Sequence, residues 1–151
     1  MNAYYEVLNV LKTSLENNID VNTVLTDDTS KSVDVNKMNI YNLAFIDVRT
    51  GLFKSNVSSF FVSIQCLGIP NTSKTPVTDK FLGNDNSIDI YNTTIAVLRR
   101  TFDEIVKDVY TKDITIIGDG DFEKVENKKN GAIGWELNFE IETPNTVVTS
   151  C

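Results

Sequence analysis

The residues in this sequence that could do chemistry are carboxylates. Glu136, Glu140 and Glu142 alternate with Trp135, Leu137, Phe139 and Ile141, so on a strand all three share one face. At the rise of a strand, Glu136 and Glu140 would stand about 13 Å apart and Glu140 and Glu142 about 7 Å apart. Glycosidase carboxylates sit about 5 to 10 Å apart, so the second spacing is geometrically open to acid–base work. Neither residue shows a reason for a raised pKa, however, and the expectation is a solvated acidic face. A second cluster, Gly118-Asp119-Gly120-Asp121-Phe122-Glu123, follows an apolar run as a dinucleotide loop would. Glu123 stands where the third glycine belongs, no convincing helix follows, and two Asp would face the pyrophosphate. Asp119, Asp121 and Glu123 could also ligate Ca²⁺, but that ion takes about 6 to 8 oxygens and the EF-hand spacing is absent. The expectation for these residues is an ordinary tight turn.

No histidine occurs anywhere in the chain. This removes the commonest general base, the commonest metal ligand and every Ser-His or Cys-His nucleophile pair. Of the two cysteines, Cys66 lies in an alternating pattern and Cys151 is the last residue, so a buried thiol and a free one are expected rather than a disulfide. Arg99-Arg100 is the tightest pair of arginines, and with a net charge of −7 the pair cannot support duplex binding by neutralising phosphates. An intersubunit contact or a surface ion pair is the better expectation. Lys124, Lys128 and Lys129 are interleaved with Glu123 and Glu126 and make no basic patch. No catalytic residue, metal or cofactor is assigned, and the chain is not read as an enzyme.

These residues must be positioned by a small set of elements. Tyr4, Leu8, Leu11 and Leu15 make one helical stripe, predicting a helix over residues 2–17 that Asn17-Asn18 can close. The polar residues 27–32 read as a hairpin or an excursion loop. Strands are expected over 43–49, ended by a Thr50-Gly51 turn, and over 59–67, where both faces are partly apolar and the strand should be central. Residues 68–86 form an unusually long loop, either mobile or a contact arm. The strongest helix signal covers 87–110, with Tyr91, Ile95, Leu98, Phe102, Ile105 and Val109 on one stripe and Ser87 as its cap. A short strand over 114–117, a turn at 118–121, a polar loop at 127–131 and a strand over 135–142 ended by Thr143-Pro144 complete the chain. Tyr91, Phe102, Trp135 and Phe139 sit at core spacing. Helices separated by a block of strands predict an α+β fold with a mainly antiparallel sheet, in one domain.

The bulk composition agrees with that class. The chain has 151 residues, 41% hydrophobic and 23% charged, enough to bury a core and too mixed for disorder or a coiled coil. Residues 1–12 carry no basic leader or cleavage signal, and no stretch approaches the length of a membrane span, giving the expectation of a cytosolic product with no membrane contact. The sequons at Asn56, Asn71 and Asn92 are then what an Asn-rich and Thr-rich chain produces by chance.

Three stretches resemble the tail terminator, or tail-completion, family of tailed bacteriophages. They are Val33-Asp34-Val35-Asn36-Lys37 running into Ile40-Tyr41-Asn42-Leu43-Ala44, the amphipathic helix over 87–110, and residues 122–130 leading to Gly131-Ala132-Ile133-Gly134-Trp135 and the strand closed by Thr143-Pro144-Asn145. The likeness covers most of the chain as an order of elements, with Asn42 where the family pattern has Pro. The resemblance implies a structural virion protein, assembled in the bacterial cytoplasm, that forms a hexameric or dodecameric ring at the head–tail connector or upper tail. Its partners would be copies of itself, a portal, connector or adaptor protein on the head side, and the tail tube or another neck ring. DNA would pass through the ring without specific binding. On this reading Glu136, Glu140, Glu142, Arg99 and Arg100 line the channel or meet the next subunit, and Asp27, Asp28, Lys31, Lys74 and Lys80 mark candidate contact arms. The alternative from another class is a small monomeric binding or adaptor domain that recognises its partner through the loop 68–86.

Overall fold

A computed structural model describes residues 3–26, 40–70, 86–107, 114–127 and 131–144. The elements run α1 (Ala3–Glu16), β1 (Thr23–Thr26), β2 (Leu43–Phe53), β3 (Val57–Gly68), α2 (Ser87–Val106), β4 (Thr115–Glu126) and β5 (Ile133–Pro144). The strands form one sheet in the order β1-β2-β3-β5-β4, antiparallel at every pair except the parallel β1–β2. This is the α+β class expected from the sequence. No helix among the described residues is long and apolar enough to cross a membrane.

The sheet has one covered face, and alternation decides which. Val62, Ile64 and Cys66 of β3 stand beside Leu137, Phe139 and Ile141 of β5 and Ala44 and Ile46 of β2, and all belong to one buried cluster with residues of both helices. β3 is paired on both sides and central, as its doubly apolar pattern requires. α1 contributes Val7, Val10, Leu11 and Leu15 to the cluster, each worth about 1.5–3 kcal/mol on burial. Leu11 and Leu15 were on the expected stripe, but Tyr4 lies at the margin against Phe60, ring centroids 6.4 Å apart. After α1, the Asn18 side chain accepts the backbone N–H of Asp20 at 3.0 Å and turns the chain towards β1.

α2 buries Ile90, Thr94, Val97, Leu98, Thr101 and Ile105, a stripe rotated from the one read in sequence. Ten of the twenty residues of this helix are apolar, so its local pattern does not fix which line points inward. The sheet does, and Tyr91, Ile95 and Phe102 become half-buried flanks. Two threonines are tolerated inside because a hydroxyl can bond within the helix: Thr94 Oγ1 donates to the carbonyl of Ile90 at 2.7 Å. The residue flanking the helix start is Asn86 rather than Ser87, and its side chain makes no capping bond. At the other end Lys107 N–H donates to the Asp103 carbonyl, and the expected last residues, 108–110, lie outside the described residues.

Two expected turns are not turns. Thr50 and Gly51 continue β2, opposite Phe61 and Phe60, after a register shift between Val48 and Thr50. The hairpin reverses instead around residues 54–56, where Lys54 N–H donates to the Val57 carbonyl. Gly118-Asp119-Gly120-Asp121 likewise lies inside β4, as an irregularity between Ile117 and Asp121, with Gly118 at φ 71. A left-handed glycine here kinks the strand and lets pairing with β5 resume, so ladder formation overrides turn propensity. The parallel β1 was not anticipated. Its start is tied to that of β2 by Asn42, whose carbonyl accepts Asn22 N–H at 2.9 Å and whose side-chain amide donates to the Asp20 carbonyl. The residues 27–32 read as a hairpin or excursion loop lie outside the described residues, as do 71–85 of the long loop.

Cys66 is a buried free thiol. Burial pushes it up to about 12, with a smaller contribution from the charge of Asp20, and a thiol held protonated in this way is inert.

Candidate functional site

Among the described residues no helix packs on the opposite face of the sheet, and on it the strand register assembles rows of polar side chains. One row runs Asp47, Ser63, Asn138 and Asp121 across β2, β3, β5 and β4. The next, on one side, is Gln65, Glu136 and Glu123, and on the other side Phe61, Glu140 and Ile117. Glu142 follows between Ser59 and Thr115. Glu136, Glu140 and Glu142 therefore do share one open face, as their spacing predicts, and β4 and β2 add Asp121, Glu123 and Asp47 to it. A shallow depression of about 430 Å³ opens among Asp47, Arg49, Phe61, Asp119, Asp121 and Glu140. Among the described residues, two basic side chains meet this face: Arg49 pairs with Asp47 at 2.9 Å, and Lys54 reaches Glu142 and Glu140 from the hairpin end.

The glutamates are held by diagonal hydroxyls of β3. Ser63 Oγ donates to Glu136 at 2.6 Å, and Ser59 Oγ donates to Glu140. The Ser59 hydrogen bond holds the Glu140 carboxyl below its usual range, against some desolvation and aided by Lys54. A carboxylate kept ionised is the reverse of what a general acid needs, so Glu140 is not set up for that role. The Lys54 ammonium is raised in turn, chiefly by its hydrogen bond to Glu142.

These shifts have a defined sign. Glu140, lowered in the folded state, contributes stability at pH above its unfolded pKa, and that contribution disappears as pH falls through the lowered folded value. Lys54, raised, contributes below its unfolded pKa and loses the contribution as pH rises through the raised folded value. Ser59→Ala should move the Glu140 carboxyl back up towards the ordinary glutamate value. Carboxyl-carbon NMR titration reads this directly, and the acid limb of the stability curve should flatten with it. An unmoved Glu140 in the variant would show that Ser59 does not hold it.

The other residues singled out from sequence lie elsewhere. Arg99 and Arg100 stand on the exposed side of α2, across the sheet from the glutamates. Arg99 pairs with Asp103 at 3.2 Å and Arg100 with Glu104 at 2.9 Å, one turn along the helix. Glu104 also accepts the Ser14 hydroxyl at 2.6 Å, which ties α2 to α1. Asp119, Asp121 and Glu123 do not converge, and among the described residues no group of three or more acidic, thiol or imidazole side chains is placed to hold a metal. Asp27, Asp28, Lys31, Lys74 and Lys80 lie outside the described residues.

Sequence reasoning missed Asp47, Asp121 and Glu123 as members of the acidic face. Residues 121–126 carry no clean apolar–polar alternation, since Phe122 shares its parity with Lys124 and Glu126, and Val125 shares its parity with Asp121 and Glu123. Two glycines in four residues precede them, so β4 had no local strand signal beyond 114–117. Compared with known proteins, the chain matches no family model and no curated sequence.

Proposed function

We propose that this chain is a structural ring subunit at the head–tail junction of a tailed bacteriophage, in the position of a tail terminator or neck ring. The observation that carries the reading is the one-sided sheet. Both helices cover one face, and the other is a broad wall with an acidic surplus, drawn from four strands. Such a wall suits a DNA conduit, because like charge repels phosphates and gives none of the counterion release that would hold a duplex in place. The net charge of −7 supports the same reading, as does the resemblance in element order. The ring would join a head-side connector to the tail tube, its partners being further copies of itself and those two neighbours. As such it acts in the virion rather than on a substrate.

Light scattering over a range of protein concentrations, with negative-stain imaging of the same fractions, tests this. The expected result is mass rising to a fixed multiple of 16.9 kDa, with closed rings around a central hole. A monomer at every concentration would return the chain to the alternative, a monomeric binding domain.

A further inference from the structure

The outer edge of β4 presents a second surface. Among the described residues β4 has a strand neighbour on one side only, so alternate N–H and C=O groups along its other side meet no described strand. Beyond the irregularity, residues 121–126 run in regular register with β5, about the length of an ordinary strand. Parity divides their side chains. Asp121 and Glu123 rise on the acidic face, and Phe122 and Lys124 on the helix face, opposite Leu137 and Trp135.

Each face offers something to an added strand. On the helix face, Phe122 is 58% exposed beside an apolar groove of about 440 Å³ walled by Ile95, Leu98, Phe102 and Leu137. Gly120 keeps the groove open, because a Cβ there would lie 2.8 Å from the Phe102 ring and 3.1 Å from Leu137. On the acidic face, Glu123 stands directly opposite Glu136, a like-charge pair that costs stability. Lys124 does not relieve it, being on the other face, with its ammonium 4.5 Å from the Tyr91 ring centroid.

We propose that the β4 edge accepts an extended segment of a different protein as a sixth strand, with basic and apolar residues alternating along it. Main-chain hydrogen bonds to residues 121–126 hold the segment. Its basic side chains fall beside Asp121 and Glu123, and its apolar ones beside Phe122 and the groove. A second copy of this chain does not meet the specification. No two of its fourteen Lys and Arg stand two positions apart, and a second β4 would set acid against acid. Charges on an edge strand ordinarily prevent pairing; charges of one sign on one face prevent pairing with all but a partner of opposite sign. The proposal stands on β4 and does not require the ring.

The test uses two synthetic hexapeptides of identical composition, one alternating Lys with Val or Leu, the other with its three Lys consecutive. Each is titrated into the full chain at about 0.15 M salt, where exposed charges are screened beyond about 8 Å, with calorimetry and amide NMR as readouts. The alternating peptide should bind at least tenfold more tightly and shift amides of β4 and of the facing side of α2. Methylating its alternate amide nitrogens should abolish the binding. Glu123→Lys should weaken binding at least tenfold while raising the Tm, because it removes the like-charge pair. Phe122→Thr, at an exposed position, should weaken binding without altering any charge. Equal binding of the two isomers, no binding of either, or full binding by Glu123→Lys would each overturn the proposal.

Discussion

Gly134→Ala should be the most damaging methyl addition among the described glycines, costing about 3 kcal/mol or more and lowering the Tm by about 10 °C. Gly134 lies between Leu67 of β3 and Val125 of β4. A Cβ at this position would run into the backbone carbonyl of Cys66 and come within 3.1 Å of the Leu67 Cα. Neither obstacle is the movable end of a side chain. Both belong to β3, which is held on its two sides by β2 and β5, so relief requires breaking ladder hydrogen bonds. Gly131 is the informative comparison. It has φ 75 with nothing near its missing Cβ, so Gly131→Ala should cost only the backbone strain of about 1 kcal/mol. Urea unfolding of the two variants measures the difference. A Gly134→Ala protein within about 0.5 kcal/mol of the parent would mean that β3 and β5 do not approach as described.

On the proposed ring-subunit function, reversing Glu136, Glu140 and Glu142 together to Lys should eliminate ring closure or phage assembly while leaving a folded monomer. All three stand half-buried on the open face and outside the apolar core, where ion pairs such as those of Lys54 are worth about 1 kcal/mol or less each, so the core survives their loss. The change is nevertheless large in potential, because it converts the middle of the wall from acidic to basic. Lys54 makes a matched control necessary. It lies between Glu140 and Glu142, and reversal would gather three ammonium groups at one end of the face. The triple Gln variant removes the same carboxylate charges and leaves acceptors for Ser59 and Ser63. Folded monomers are expected from both variants by circular dichroism, with loss of rings or of infectious particles deepest for Lys. Normal assembly by the Lys variant would sink the assignment of this face to a channel or subunit contact.

The contrast between what the sequence showed and what it hid follows physical range. Periodicity is local, so it located both helices, the central β3 and the three glutamates that share a face of β5. Which arc of α2 turns inward depends on the sheet beneath it, and no spacing within residues 87–106 encodes that. Thr50-Gly51 and Gly118-Asp119-Gly120-Asp121 carry strong turn chemistry, yet in each case a partner strand supplies hydrogen bonds that a free segment would lack. The acidic wall was only partly visible for the same reason: Asp47, Glu123 and Glu136 become neighbours through pairings between distant segments. The β4 edge was hidden more completely, since a strand is an edge only by what does not lie beside it.

The order of strands in the sheet also governs how the molecule can be made. β2 with β3, and β4 with β5, are adjacent hairpins that close short loops and can form early, on the microsecond scale. The junction that unites them, β3 with β5, joins residues 57–68 to residues 133–144 across all of α2. Loop-closure entropy makes that junction the late step, and until it closes, Val62, Ile64 and Cys66 have nothing against their flank. Folding should therefore behave as the docking of two prebuilt halves, with α2 as the tether that sets their effective concentration. A change to the length of the segment between β3 and β5 would then alter the folding rate far more than it alters the finished protein.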